Sequence, residues 1–255
     1  MRAFLFTLPV LALLPVLTTG AAFALGGSAA TPDRALSRNL VMVLSSQGAK
    51  KGACTGTVVA SDIVLTAAHC VAGDKQLAIA YAEEGSHTLQ RVIAKAVHPG
   101  YSGKSSVSID LALVRIEGHL PTRFEPVTMD SGQGTHAVGA SQRIAGFGLA
   151  RERDEASAGV LRSADVVVLP RLFPRYLRLS TTPDADLGDI AICTGDSGGP
   201  VLETGFGAEP LVVGVVYGRE KFGNAASCGT IGQAVRLAPQ RAWIQGVMGK
   251  WGAGR

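Results

Sequence analysis

Aromatic side chains are only 5% of the 255 residues and charged ones only 17%, against 47% apolar. A chain so poor in charge is excluded from the disordered class and has enough apolar material for a full core. It has no internal repeat and no low-complexity tract. Its four cysteines include no close Cys-x-x-Cys pair, which argues against a zinc site. Beyond the first 25 residues no segment is long and apolar enough to cross a bilayer. The net charge of +4 is a weak bias. Arg151, Arg153, Arg162, Arg171, Arg175 and Arg178 are not interleaved with aromatics, so they read as a solvated basic face with no nucleic-acid partner, an anionic surface partner being the alternative.

Present instead are 32 glycines and recurrent β-branched runs, the composition of short strands joined by tight turns. One strand-like series covers Leu40 to Ser45, Thr55 to Ala60, Ile63 to Ala67, Leu77 to Tyr81, Leu89 to Val97 and Leu111 to Ile116. A Gly/Pro/Ser-rich passage follows. The second series covers Gln142 to Ala145, Val160 to Leu169, Pro200 to Leu202, Leu211 to Tyr217 and Ile231 to Val235. An all-β protein of two similar units is expected, 25–131 and 132–255, with a short C-terminal helix started by Pro239. Residues 1–24 carry one positive charge, an apolar stretch and then Ala22-Phe23-Ala24, the pattern of a cleaved export signal. An uncleaved anchor is the alternative. An exported chain meets oxidants, so Cys54, Cys70, Cys193 and Cys228 read as two disulfides, and three pairings are open.

Three segments carry chemistry. In Leu65-Thr66-Ala67-Ala68-His69-Cys70 a histidine follows an apolar strand and two alanines. In Asp110-Leu111-Ala112-Leu113-Val114 an acid opens an apolar strand, where its carboxylate needs a hydrogen-bond partner. Cys193-Thr194-Gly195-Asp196-Ser197-Gly198-Gly199-Pro200 is the specific signal, because three glycines around one serine permit unusual backbone and leave its hydroxyl unshielded. His87, His98, His119 and His136 have no ligand-like spacing and read as surface or loop residues.

These segments, in the order His, Asp, Ser, resemble the active-site signatures of the trypsin/chymotrypsin family of serine proteases. The likeness extends to Gly26-Gly27, Val97-His98-Pro99-Gly100-Tyr101, Ala145-Gly146-Phe147-Gly148, Tyr217-Gly218 and Trp243-Ile244. It implies two six-stranded antiparallel Greek-key barrels with the site between them, and the pairings Cys54 with Cys70 and Cys193 with Cys228. It further implies Ser197 as nucleophile, His69 as general acid/base, Asp110 as orienter of the histidine, and the amides of Gly195 and Ser197 as oxyanion donors.

The same resemblance puts Ala191, Ile192, Thr194, Val216, Tyr217, Gly218 and Thr230 around the substrate pocket. Trypsin has an acid six residues before the nucleophile, where this chain has Ala191, so small or medium apolar side chains are expected in place of Arg or Lys. Asp184, Asp186 and Asp189 are read as solvated, with a displaced pocket acid as the alternative. Val216 replaces a serine that in the family hydrogen-bonds the acid, which leaves Asp110 to backbone amides and His69. Activation has two readings: an amino terminus at Leu25 paired with Asp196, or Arg143 paired with Asp196. With the export pattern of residues 1–24, a secreted or periplasmic protein is expected, a monomer that acts on polypeptides and needs no metal or organic cofactor. A catalytically silent binding protein on the same fold is the alternative.

Overall fold

The computed structural model describes residues 31–83, 86–105, 107–134, 136–151, 153–171, 173–181, 191–203, 211–220 and 228–252. A short strand β1 (Thr31–Pro32) precedes β2 (Leu40–Gln47), β3 (Lys50–Ala60), β4 (Ile63–Thr66), β5 (Gln76–Glu83), β6 (Ser86–Val97) and β7 (Ala112–Ile116). Strands β2 to β7 close into a barrel with the ring order β2-β3-β4-β7-β6-β5, every pair antiparallel. After β8 (Thr128–Met129) come β9 (Ser141–Gly146), β10 (Arg162–Leu169), β11 (Tyr176–Ser180), β12 (Ile192–Cys193), β13 (Pro200–Glu203), β14 (Leu211–Arg219), β15 (Cys228–Gly229) and β16 (Ile231–Arg236). Six of these form a second ring, β9-β10-β11-β16-β14-β13, closed by pairing of β13 with β9. Numbered within each barrel, the two rings have the same order, so both expected Greek-key barrels are present.

Side-chain alternation explains where the core lies. Val41, Val43, Val58, Val64, Ile79, Val114 and Ile116 fill the first barrel. Ile144, Val166, Val168, Leu177, Leu179, Val213 and Ala234 fill the second. A third cluster joins them: Leu40, Ile63, Leu65, Leu111 and Leu113 from one barrel meet Tyr176, Val212, Val215, Val235 and Leu237 from the other. Each fully buried aliphatic side chain there is worth ~1.5 to 3 kcal/mol.

The chain ends are exchanged. Strand β1 precedes the first barrel yet pairs with β10 of the second, Thr31 opposite Ser163. Helix α2 (Arg241–Lys250) follows the second barrel, started by a 3-10 turn that contains Pro239. Its Ile244 joins the shared cluster, and its Trp243 stacks edge-on against His98 of the first half, ring centroids 4.7 Å apart.

Register brings the chemical segments together. Thr66, last residue of β4, pairs with Ala112, first of β7, so the residues just after Thr66 and just before Ala112 share one end of the first barrel. In the second barrel Ile144 near the end of β9 pairs with Val201 near the start of β13, which sets loop 147–149 against loop 194–199. Both disulfides join the expected partners, Cys54 with Cys70 and Cys193 with Cys228. Among the described residues no helix is long and apolar enough to cross a membrane.

Candidate active site

His69 lies on a single helical turn, α1 (Ala68–Val71), and Asp110 lies just before β7. The Asp110 carboxylate accepts twice from the same residue: the His69 backbone amide donates to Oδ1 at 2.8 Å and ring Nδ1 lies 2.9 Å from Oδ2. The bond at Nδ1 orients the ring and leaves Nε2 as its second nitrogen, 3.6 Å from the Sγ of Cys70; among the described residues no hydrogen bond joins it to Ser197 Oγ. The Asp110 side chain is 12% exposed and that of His69 38%, so the acid is sheltered while the ring faces the cleft. Lys75, unremarked in the sequence, donates from Nζ to the carbonyls of His69 (2.7 Å) and Cys70 (3.3 Å), and Lys95 donates to those of Val71 and Gly73. The two ammoniums thereby satisfy the His69, Cys70 and Val71 carbonyls, which so short a helix leaves without partners.

The loop bearing Ser197 is docked on β3 and on the end of β4, just before this turn. The Thr55 amide donates to the Ser197 carbonyl at 2.8 Å, and the Gly198 amide donates to the Val216 carbonyl. Gly198 has φ +87°, and a Cβ there would overlap the Thr55 carbonyl oxygen and the Thr66 hydroxyl, three residues before His69. Gly195 has φ +102° and sits against Gly148 with no space for a side chain. Its preceding peptide is oriented by a bond from the Leu149 amide to the Thr194 carbonyl at 2.9 Å. In a trans peptide the N–H points opposite to the C=O, so the Gly195 amide faces away from loop 147–149. Among the described residues neither the Gly195 nor the Ser197 amide has a hydrogen-bond acceptor.

Thr55 is the functional residue that sequence reasoning missed. Its buried hydroxyl accepts from the Phe147 amide at 3.0 Å and donates to the Gly195 carbonyl at 2.9 Å. One side chain from β3 of the first barrel therefore joins the two second-barrel loops that flank the free amides. A threonine inside a strand is ordinary by composition, so nothing in the sequence marks it.

Asp196 is buried between Gly146 and Gly148, with the Gly148 amide on Oδ1 (2.9 Å) and the Cys193 amide on Oδ2 (2.8 Å). Burial pushes its carboxyl up to about 7, against the pull of those amides and of Arg162 and Arg219. The alternative activation reading, Arg143 paired with Asp196, is overturned: Arg143 is committed to Asp165, directly opposite on β10, with Nε 2.8 Å and Nη2 3.2 Å from its oxygens. Alternation along β9 turns Arg143 to that outer cross-strand pair. Arg162, expected on a solvated face, is the buried arginine that attracts Asp196, with its Nη1 on the Val160 carbonyl. Leu25, like residues 1–24, lies outside the described residues.

The expected pocket residues separate into two groups. Tyr217 and Gly218 are part-exposed on β14, beside the Ser197 loop, and burial, with Tyr176, Asp110 and Glu220 nearby, pushes the Tyr217 phenol up to about 12. Ala191 packs with Leu149 against the Cys193–Cys228 bridge. Thr194 is exposed beside Gly195, and Val216 is buried, its amide on the Gly199 carbonyl. Ile192 turns away into the core of the second barrel, where the absent side chain of Gly232 makes space for it. Thr230 is exposed and its carbonyl is taken by the Thr181 amide and hydroxyl. Asp184, Asp186 and Asp189 lie outside the described residues.

Of the other histidines, His136 is not a surface residue: its side chain is 4% exposed with Nε2 3.6 Å from Asp130 Oδ2. Asp130 in turn gathers the amides of Gly132, Gln133 and Gly134 on Oδ1. The sulfurs of Cys54 and Cys70 lie near His69, but they are bonded to each other and offer no thiolate to a metal.

Comparison with known proteins agrees with this geometry. The family model described as Trypsin matches residues 26–244. Granzyme M of Homo sapiens is 31% identical over 98% of this chain and 99% of its own length. An uncharacterized peptidase of Corynebacterium glutamicum (strain R) is 30% identical over 78% of the chain and 65% of its own length. Chymotrypsin of Phaedon cochleariae is 23% identical over 80% of the chain and 75% of its own. With its double barrel, paired His69 and Asp110, and a family match across nearly all the described residues, the chain belongs to the trypsin family of serine proteases.

Proposed function

We propose that this serine endopeptidase works through Ser197, His69 and Asp110, is exported, and cleaves after small or medium apolar residues. The carrying observation is the doubly bonded His69–Asp110 pair together with the Gly195 and Ser197 amides, which have no acceptor among the described residues. A serine hydroxyl is a poor nucleophile until a base removes its proton. His69 Nε2 takes that proton as Ser197 Oγ bonds to the scissile carbonyl carbon, and the carbonyl electrons move to oxygen. Asp110 holds Nδ1–H and stabilises the imidazolium formed. The Gly195 and Ser197 amides receive the oxyanion, each such donor being worth ~2.7 to 4 kcal/mol of barrier. The imidazolium then protonates the leaving amine as the carbon–nitrogen bond breaks, and water repeats the sequence on the acyl-enzyme.

The apolar preference rests on Ala191 at the pocket floor and on Tyr217 and Gly218 as its wall, with Ile192 now removed from the pocket. Export rests on residues 1–24 and on two disulfides, each worth ~2 to 4 kcal/mol. For activation, the amino terminus of a chain cut after Ala24 is the favoured partner of Asp196, whose carboxylate has no ion pair within 4.0 Å among the described residues.

The test combines two measurements on the secreted protein. An organophosphorus fluoride should label Ser197 one-to-one, and cleavage of a mixed peptide library should follow Ala, Val or Leu. Strict cleavage after Arg or Lys refutes the pocket; absence of labelling refutes the site.

A further inference from the structure

A groove of about 1360 Å³ starts at Thr194 and Gly195 and runs across the outer face of the first barrel. Its floor is made by Leu44, Leu77, Leu89, Val92 and Ile93, of which Leu89 is 65% and Ile93 49% exposed. Lys51, Lys75, Arg91, Lys95 and Arg153 line it, against the single acid Glu155. Arg91 is neutralised by a bidentate pair with Glu117, which lies outside the groove. None of Lys51, Lys75, Lys95 and Arg153 pairs with a described carboxylate. Lys75 and Lys95 each have two ammonium protons on main-chain carbonyls, which pins the charges at the groove's edge and leaves one proton on each for a ligand. A concave surface with an apolar floor and a cationic rim that no described carboxylate pairs is built for an extended segment of the opposite charge.

Position tells which part of a substrate that segment is. The acyl side of the scissile bond must reach Ala191 and Tyr217–Gly218, and none of these lines the groove. The groove instead leaves the oxyanion loop from its other side, toward the β2–β3 hairpin. We propose that it receives the leaving-group half of the polypeptide substrate and selects acidic residues, flanked by an aliphatic one, two to four positions after the cleaved bond. The proposal rests on the serine endopeptidase reading of the same site.

The test uses the secreted enzyme and one acyl-side sequence taken from its library profile, extended by leaving-side tails in which Asp/Glu, Ala or Lys occupy the second to fourth positions. Acidic tails should raise kcat/KM about tenfold over lysine tails, roughly what two or three exposed ion pairs supply together. The difference should shrink in 0.5 M salt (~4 Å screening length). Lys51→Glu with Arg153→Glu should reverse the order while cleavage of an anilide of the same acyl sequence, which has no leaving-side residues, stays unchanged. Equal rates for all tails in the wild-type enzyme overturn the proposal. So does a dimer by sedimentation that Lys51→Glu dissolves, since the groove would then hold a second copy of this chain. An enzyme that cleaves neither tail nor anilide contradicts the catalytic reading and not the groove.

Discussion

The two halves of the site are held by different physics. His69 and Asp110 are fixed by directional bonds between a side chain and its partner's amide and ring, 2.8 and 2.9 Å long. The Ser197 loop is fixed by exclusion: Gly195 fits only against Gly148, Gly198 only under Thr55 and Thr66, and Asp196 only between two glycines. A half held by bonds depends on charge and proton position. A half held by close packing depends on volume, and one added methyl is felt throughout an interior packed as tightly as an organic crystal.

The largest effect should therefore come from a single carbon. Gly198→Ala drives a Cβ into the Thr55 carbonyl and the Thr66 hydroxyl at a positive φ, and it is expected to abolish activity and lower the denaturation midpoint by an amount worth more than about 3 kcal/mol. Unchanged melting would show that the loop is not packed as described. Asp110→Asn keeps the volume and alters only the proton arrangement. It should leave stability nearly intact and reduce kcat by about 10⁴-fold, the size of this change in other Ser-His-Asp triads.

Thr55→Val sits between the two regimes, since it keeps shape and deletes the hydroxyl. The Phe147 amide and Gly195 carbonyl lose their partner, and kcat should fall about tenfold with KM unchanged, with Thr55→Ser restoring it. Equal loss in the serine variant would make Thr55 a packing residue only. A pH dependence of stability bears on the activation of the Ser197 half. The folded protein raises the Asp196 carboxyl from 3.8 to about 7, so its contribution is full below 3.8 and is lost as pH rises through about 7. In a chain amino-terminally extended by two residues, the thermal midpoint should fall between pH 5 and pH 8 relative to Asp196→Asn. In a chain starting at Leu25 that difference should vanish, because an ammonium beside the carboxylate offsets its burial. Identical slopes in both chains would remove the terminal ion pair.

The same division governs what could be read from sequence. All six strands of the first barrel appear as alternating apolar runs, and the Gly195 to Gly199 cluster announces a loop with no space for side chains. Strand β11 (Tyr176–Ser180) was not visible, because it follows Pro170 and Pro174 in an arginine-rich stretch and its Arg178 looks solvated until Glu220 is brought against it. The Arg143 pairing failed for a related reason. Distance along the chain said nothing about which face of β9 the guanidinium takes, and the cross-strand register with Asp165 decides it. Ile192 failed because a two-residue strand offers no alternation to read, and Gly232 supplied a hole on the core side. Thr55, Lys75 and Lys95 act through contacts with main-chain carbonyls or amides, which no residue pattern encodes.

The exchange of chain ends ties the two halves together without a covalent link. Each disulfide closes within one half, Cys54–Cys70 in the first and Cys193–Cys228 in the second, so no covalent crosslink spans the pair. Yet the leading arm β1 is woven into the far sheet, and the trailing helix rests its indole on the near one. A nick in the 117–140 connector would therefore leave both arms in place, each half still holding an element of the other.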